Sequence, residues 1–293
     1  MQPIFCAALW MTGAIVAFTL MAIAGRTASL ELDTFEIMLY RSCVGLIIVL
    51  IVGKFFGILG QIRLTNIGLH SLRNLAHFSG QNLWFYAITV TPLAQVFALE
   101  FTAPIWVIML SPLILSERIT PIGAISAIIG FVGILIMARP GPATISPGLI
   151  AAALCAIGFA FTAIFTRKLT RTETTICILF FLTGMQAIFG LVTAGYDGDI
   201  ALPSLTTLPW VVCIGFAGLI AHFCLTTALS MAPATIVMPM DFVRLPIIAV
   251  VGIILYAEPI DTFVFIGFIR RFYYSCKSND TVCSCGKMGC TNW

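Results

Sequence analysis

The feature that most constrains this chain is a series of apolar runs of about 20 residues, separated by short breaks that contain charges, glycine or proline. A helix of roughly 20 apolar residues crosses the ~30 Å hydrocarbon core of a bilayer. Hydrophobic residues make up 60% of the 293 residues and charged residues only 9%, whereas soluble domains contain about 25% charged residues. The sequence therefore predicts an all-α polytopic membrane protein.

Nine runs have the length of a membrane span, and a tenth begins near Pro259. The nine cover residues 4–24, 35–52, 69–90, 94–115, 120–138, 147–166, 174–194, 208–230 and 235–256. The first run follows no positively charged segment and lacks a small-residue cleavage pattern, which a signal peptide would have. We therefore expect it to be a retained first span.

The basic residues predict how the spans are oriented. The loops after even-numbered spans contain Lys54, Arg63, Arg118, Arg167, Lys168 and Arg171, whereas the opposite loops contain Arg26, Arg139, Asp197 and Asp199. Cytoplasmic loops carry an excess of Lys and Arg, so we expect both termini to be cytoplasmic. The basic residues form no stripe, so the formal net charge of +3 does not indicate nucleic-acid binding.

The ten cysteines form two groups. Six lie in apolar runs without the spacing of metal ligands and are predicted to be buried free thiols: Cys6, Cys43, Cys155, Cys177, Cys213 and Cys224. The other four could supply zinc thiolates, but they lack paired Cys-x-x-Cys spacing: Cys276, Cys283, Cys285 and Cys290. Disulfides are disfavoured in a reducing cytoplasm. We assign no metal ligand and no cofactor.

The chain contains an internal repeat. A gapless shift of 141 positions aligns residues that are rare in membrane spans: Arg26 with Arg167, Thr34 with Thr175, Thr65 with Thr206, Pro92 with Pro233, Glu117 with Glu258 and Glu100 with Asp241. The shift also aligns Phe18 with Phe159. Each copy contains about five spans, and an odd number makes the second copy enter the membrane from the other side. The sequence predicts two inverted five-helix repeats, at residues 1–140 and 141–269, as in many secondary transporters.

Particular motifs identify a family. The segment from Pro92 to Trp106, followed by Glu117-Arg118-Ile119 and a glycine-rich helix from Gly130 to Gly133, resembles the EamA-type drug/metabolite transporters. A second copy runs from Ala232-Pro233 to Glu258-Pro259, and the resemblance extends to about Gly267. It implies ten helices around a central cavity lined largely by the third, fourth, eighth and ninth.

The resemblance also implies a function. It indicates a secondary transporter that moves a small organic metabolite, such as an amino acid, S-adenosylmethionine or a riboflavin-like vitamin, by alternating access across a bacterial inner membrane. The implied partners are the solute and the lipid bilayer. A homodimer is left open.

Five charged side chains lie inside predicted spans, where a charge costs about 2.5–3.5 kcal/mol: Arg41, Arg73, Glu100, Asp241 and Arg244. Glu100 and Asp241 occupy equivalent positions in the two repeats. A low-dielectric environment favours the protonated form of a carboxylic acid, so this pair is a candidate for proton exchange coupled to transport. The alternative is a structural ion pair between Asp241 and Arg244, three residues apart on one helical face.

Two prolines lie beside these acids. Pro104 and Pro246 each remove the helical hydrogen bond to the carbonyl four residues earlier, which belongs to Glu100 and Phe242 respectively. Irregular backbone at membrane depth occurs where it is buried or lines a wet cavity. The prolines therefore indicate a site at the acids, or else a packing kink.

The third span has a polar face. Arg73, His77, Gln81 and Trp84 recur at helical spacing, so we expect them to face the interior and contact the solute, with Trp84 stacking on a planar group or cation. Interhelical hydrogen bonding is the alternative, and Arg73 would otherwise reach the cytoplasmic interface. The lone polar residues His222 and Gln186 are interpreted as satisfied packing residues, and Glu36 and Glu258 as interfacial charges.

The carboxyl-terminal end departs from the repeat. The shift places a tenth helix at residues 262–279, but the apolar run ends at Ile269 and Arg270-Arg271 follow. About 11 apolar residues are too few to span a bilayer. We expect a truncated or altered tenth helix and an atypical Cys-rich tail at residues 270–293, as a shifted reading frame would produce.

Two alternatives to a transporter stay open. One is a membrane-embedded enzyme, although the sequence contains neither His-Glu-x-x-His nor Gly-x-Ser-x-Gly. The other is an inactive, frame-altered transporter product. Our prediction is that the chain is not an enzyme.

Overall fold

A computed structural model of the chain describes residues 3–117, 146–196 and 198–257. These residues form ten helices: α1 (Pro3–Ala28), α2 (Thr34–Phe55), α3 (Ile67–Val90), α4 (Leu93–Glu100), α5 (Ala103–Ile114), α6 (Pro147–Leu169), α7 (Thr175–Ala194), α8 (Leu208–Met231), α9 (Ala234–Met240) and α10 (Arg244–Tyr256). Two 3₁₀ turns lie at Leu59–Gln61 and Asp241–Val243. The predicted span at residues 120–138, Glu258, the tenth helix and the Cys-rich tail lie outside the described residues.

Within the described ranges, seven helical segments are long and apolar enough to cross a membrane. They are α1, α2, α6, α7 and α8, together with α4–α5 and α9–α10, each of which forms one segment. The 24-residue helix α3 is not among them, because its polar face lowers its hydropathy. The chain is thus a multi-pass membrane protein, as predicted.

The fourth and ninth spans are interrupted beside the intramembrane acids. Helix α4 ends at Glu100 and α5 begins at Ala103, whereas α9 ends at Met240 and a 3₁₀ turn at Asp241–Val243 precedes α10. Pro104 and Pro246 lie in the first turns of α5 and α10, where a missing N–H removes no intrahelical hydrogen bond. The predicted irregular backbone beside the two acids is therefore confirmed.

Corresponding helices make corresponding contacts. Helix α2 begins at Thr34 and α7 at Thr175, and α3 (Ile67–Val90) is displaced from α8 (Leu208–Met231) by the same 141 residues. The most extensive helix contacts join α1 to α8, α3 to α6 and α2 to α7. The first and third helices of residues 3–117 thus pack against the third and first helices of residues 146–257.

Small residues allow the closest helix contacts. A Cβ atom added to Gly158 of α6 would lie 3.0 Å from both the carbonyl oxygen of Ala76 and the Cα of Gly80 on α3. A Cβ added to Gly190 of α7 would lie 2.8 Å from the Cα of Leu39 on α2. Such residues let helix backbones approach closely in membranes.

The loops form two groups. In the first group, Thr65 and Asn66 donate hydrogen bonds to Glu173, and Arg167 binds Glu117 at 3.0 Å and the Leu229 carbonyl at 2.6 Å. These contacts bring together the loops after the second, fourth, sixth and eighth spans.

In the second group, Glu31 accepts hydrogen bonds from the Ser204 backbone N–H and hydroxyl, both at 2.7 Å, and from Thr207. These residues belong to the loops after the first and seventh spans. Because α2 and α7 each connect one group to the other, the groups lie at opposite ends of the bundle. Glu36, which we interpreted as an interfacial charge, lies in the first turn of α2, where it forms a capping box with Asp33 and accepts a hydrogen bond from the Ala201 N–H.

The Glu31 contact leads to a prediction about pH. Hydrogen bonds from Thr207 and Ser204 lower the pKa of the exposed Glu31 carboxyl, so the contact is strongest above the ordinary carboxyl range and is lost as pH falls through the lowered pKa. We expect Glu31→Gln to speed hydrogen exchange of the Ser204 amide severalfold at neutral pH. The ratio of the variant's exchange rate to the wild-type rate should approach one in acid, where the Glu31 carboxyl is protonated. A ratio that does not change with pH would contradict the proposed contact between Glu31 and Ser204.

The six described cysteines are free thiols, as predicted. Cys155, Cys177 and Cys224 are buried, whereas Cys6, Cys43 and Cys213 are only half-buried. The prediction of burial is wrong for these three because an apolar span exposes one side to lipid, and apolar sequence alone does not distinguish that side from the packed one.

Candidate solute site

A cavity lies between α1, α3, α6 and α8 and the interrupted segments α4–α5 and α9–α10. Its empty space is about 690 Å³, a figure that includes open solvent at the mouth. The polar and aromatic residues of its wall are Phe18, His77, Gln81, Trp84, Glu100, Phe101, Phe159, Thr162, His222, Asp241 and Arg244. Six of the eight residues predicted from the sequence therefore line one cavity.

Arg244 joins the two intramembrane acids. Its Nη2 atom lies 2.5 Å from Glu100 Oε1 and 2.7 Å from Asp241 Oδ2. Arg244 and Glu100 are buried, and Asp241 is partly buried. The predicted pair between Asp241 and Arg244 is present, and Glu100 from the other half extends it to a three-residue cluster. With both acids ionised, this cluster carries one net negative charge.

Aromatic groups hold the cluster in place. Trp84 Nε1 donates a 2.7 Å hydrogen bond to Glu100 Oε2, and the Arg244 guanidinium carbon lies 5.0 Å from the ring centroids of Phe18 and Phe97. Such cation–π contacts stabilise a desolvated cation. Among the described residues, Asp241 Oδ1 and Arg244 Nε have no hydrogen-bond partner, so the cluster retains bonding capacity at the cavity.

Two histidines form a second polar region. The rings of His77 and His222 are perpendicular, with centroids 4.5 Å apart. Within the described part of the chain, none of their four nitrogens has a hydrogen-bond partner, and neither does Gln81 Nε2. An unsatisfied buried polar group costs about 1–3 kcal/mol. These atoms are therefore available to a hydrogen-bonding solute.

This arrangement corrects one expectation. His222 and Gln186 were interpreted as satisfied packing residues, but His222 lines the cavity with both nitrogens unpartnered. Gln186 is buried, and its Nε2 donates to the Asn74 carbonyl oxygen at 3.5 Å, whereas its Oε1 has no partner among the described residues. The interpretation is wrong for His222 because a lone polar residue in an apolar helix gives no information about which helix it meets.

Arg41 and Arg73 do not line this cavity. Arg73 is 1% exposed and donates to Thr166 Oγ1 at 3.1 Å and to Asn74 Oδ1 at 2.8 Å, so the alternative that it reaches the interface is wrong. Arg41 lies at a separate small pocket with Thr183 and Gln186. Across residues 3–117, 146–196 and 198–257, no carboxylate lies within 4.0 Å of either guanidinium. Their part in transport stays a prediction.

The contribution of the first and sixth spans to the cavity was not predicted from the sequence. Phe18 of α1 and Phe159 of α6 belong to the cavity wall and are separated by 141 residues, as are Gln81 and His222. The repeat was the signal that could have found them. The cavity is thus lined by residues at corresponding positions of the two halves.

The membrane-length helices define a multi-pass membrane protein, and they enclose a largely apolar cavity that contains a few charged and polar groups, as a transporter of small molecules would. The chain belongs to the EamA-like transporter family, which matches residues 6–139 and 146–270. The predicted family is thereby confirmed.

Relatives with assigned names support this class. The chain is 32% identical to a riboflavin transporter of Brucella anthropi over 200 residues, which cover 67% of this chain and 70% of that protein. It is 25% identical to an S-adenosylmethionine uptake transporter of Rickettsia bellii over 249 residues, 85% of this chain and 84% of that protein. A riboflavin transporter of Vibrio cholerae is 26% identical over 251 residues, 84% and 83% of the two chains.

A solved crystal structure shares the fold. It superimposes with a TM-score of 0.74 over 92% of this chain and 94% of that chain, at 16% sequence identity. Together with the named relatives, the family establishes a transporter of small metabolites, which fits the expectation that the chain is not an enzyme.

Proposed function

We propose that the chain moves a small organic metabolite across a bacterial inner membrane by alternating access. The observation that carries this proposal is the Arg244 cluster, which joins acids from two interrupted spans at a cavity lined by both halves. Many secondary transporters place the solute site between repeats and build it from discontinuous helices. Rocking of one half against the other would open and close this cavity.

The orientation of the two halves is part of the proposal. Helix α1 leads into the loop of Glu31, which contacts Ser204, whereas its counterpart α6 leads into the loop of Glu173, which contacts Thr65. Because these contacts lie at opposite ends of the bundle, they support two inverted repeats at residues 1–140 and 141–269. The end of the bundle at which Glu173 contacts Thr65 also carries Arg63 and Arg167. We therefore assign this end and both termini to the cytoplasm.

The cavity wall suggests the class of solute. His77, His222 and Gln81 provide unpartnered donors and acceptors, and the phenyl rings of Phe18 and Phe159 provide flat apolar surface. Riboflavin and S-adenosylmethionine, the solutes named for the relatives, both contain a planar nitrogen heterocycle with this combination of properties. We therefore propose a metabolite with a planar nitrogen heterocycle.

Proton coupling would occur at Glu100 and Asp241. One guanidinium neutralises one of the two carboxylates, so uptake of a proton by the other would leave a neutral cluster. A neutral cluster costs less to expose to a closed, dry cavity than a charged one. Proton binding would therefore favour the transition between the two cavity openings.

Uptake into proteoliposomes tests the proposed function. Labelled riboflavin and S-adenosylmethionine are supplied with and without a pH gradient to the wild type, Glu100→Gln and Asp241→Asn. We expect the wild type to take up one of these solutes faster with the gradient, and both variants to lose at least about tenfold in rate together with the gradient's effect. The exposed Asp199→Asn is the matched control and should transport as the wild type does.

Other outcomes would favour the alternatives. Wild-type rates and pH response in both acid variants would remove Glu100 and Asp241 from coupling. Hydrolysis of a solute without its uptake would favour a membrane-embedded enzyme. Uptake only by a version with a restored tenth helix would favour an inactive, frame-altered product.

A further inference from the structure

We propose that His70, Glu173 and Cys177 form a binding site for a thiophilic divalent cation of the zinc class. A ring nitrogen of His70, a carboxylate oxygen of Glu173 and the Sγ atom of Cys177 all lie within 4.8 Å of one another. Imidazole, carboxylate and thiolate are the ligands that zinc takes in proteins, at bond lengths of about 2.0–2.3 Å. The three groups would move closer together on binding.

The environment of His70 points independently to a ligand. The side chain is fully buried, and neither ring nitrogen has a hydrogen-bond partner among the described residues. Its ring lies against Phe181, with centroids 4.2 Å apart, so packing fixes its orientation. A metal bond would satisfy one nitrogen that the fold leaves without a partner.

Glu173 is already oriented by the fold. Its Oε1 atom accepts hydrogen bonds from Thr65 at 2.7 Å and from Asn66 at 2.6 Å. Hydrogen bonds to a ligating group fix its position and strengthen metal binding.

The charges of the three groups suit a divalent cation. Cys177 would lose its proton on binding, and its sulfur lies 3.7 Å from the Arg63 carbonyl oxygen. One carboxylate, one thiolate and one neutral imidazole then balance a charge of +2. A neutral site avoids the cost of an unpaired buried charge, and water would occupy the fourth position.

The site would link the two halves of the transporter. His70 lies on α3 of the first half, Cys177 on α7 of the second, and Glu173 in the connection between α6 and α7. All three lie at the end of the bundle that we assign to the cytoplasm. A bound metal would hold this end closed, so we also expect it to slow any uptake that is measured.

Cobalt absorption tests the site directly in the purified full-length chain. The background replaces the tail cysteines by serine, so that thiolate signals do not arise there: Cys276, Cys283, Cys285 and Cys290. Added Co²⁺ should produce a thiolate-to-cobalt absorption band, and Zn²⁺ should displace it. Cys177→Ser should remove the band, and His70→Gln should weaken Co²⁺ binding about 10- to 100-fold.

Controls separate metal binding from folding and from transport. Cys224→Ser removes another buried thiol and should leave the band unchanged, and thermal unfolding without metal should be similar for all variants. Loss of the band in Cys224→Ser, or its absence from the background protein, would overturn the proposal. Since the assay needs no solute, its failure would not bear on the proposed transport.

Discussion

Replacement of Arg244 by glutamine is expected to abolish solute uptake and to destabilise the protein by about 3–5 kcal/mol. The guanidinium lies 2.5 Å from Glu100 and 2.7 Å from Asp241, and it is 3% exposed. Its loss would leave two carboxylates close together in a buried site without a cation. Both the fold and the cavity depend on the same ion cluster.

Two further variants separate stability from transport. In Arg244→Gln combined with Glu100→Gln, one of the two unpaired carboxylates is gone, so we expect part of the stability to return while uptake stays absent. Arg244→Lys keeps the charge but loses the planar fork that reaches both acids, and should retain stability better than uptake. Thermal unfolding in detergent and proteoliposome uptake measure these effects.

The control for Arg244 is a basic residue outside the cavity. Arg63 is exposed, and Arg63→Gln should change neither the unfolding temperature nor the uptake rate appreciably. If Arg244→Gln unfolded at the wild-type temperature and transported at the wild-type rate, the ion cluster would have neither role.

Replacement of Gly158 by leucine is expected to separate α6 from α3 and to cost several kcal/mol. A Cβ at this position would lie 3.0 Å from the Ala76 carbonyl oxygen and from the Gly80 Cα. Both are backbone atoms, which cannot move aside as a flexible side chain would. Overpacking of a core costs about 1–3 kcal/mol, and leucine adds three carbon atoms beyond the Cβ.

The same substitution should also affect transport. Displacement of α3 would move His77, Gln81 and Trp84, which line the cavity, so we expect uptake to fall at least about tenfold in the protein that still folds. Gly184→Leu on α7 is the matched control, because a Cβ there meets nothing within 4 Å. Leucine has a higher helix propensity than glycine, so the Gly184→Leu control should be at least as stable as the wild type. Equal stability of Gly158→Leu and Gly184→Leu would contradict a close contact between the α6 and α3 backbones.

The sequence predicted most of the helical framework. Apolar runs placed the described spans within a few residues of their observed ends, because a helix that crosses lipid must be apolar over a fixed length. The 141-residue shift selected Glu100 and Asp241 as a pair, and the prolines after them predicted where the fourth and ninth spans are interrupted. Charged and proline residues are rare in spans, so their positions were informative.

The tertiary structure decided how these elements meet. Sequence spacing paired Arg244 with Asp241, but the bond to Glu100 depends on α4 packing beside α10. Helix packing also placed His222 beside His77. It added Phe18 and Phe159 to the cavity wall and left Arg41 and Arg73 outside the cavity.

The physical reason is the same in each case. Helical periodicity shows which residues share a face, and the rarity of charges in lipid shows which of them need partners. Neither shows which helix a face will contact, because most of the described spans offer similar apolar surface. The sequence by itself therefore determined the spans, the repeat and the pair of acids, whereas only the packing of the helices decided that these acids share one arginine at a common cavity.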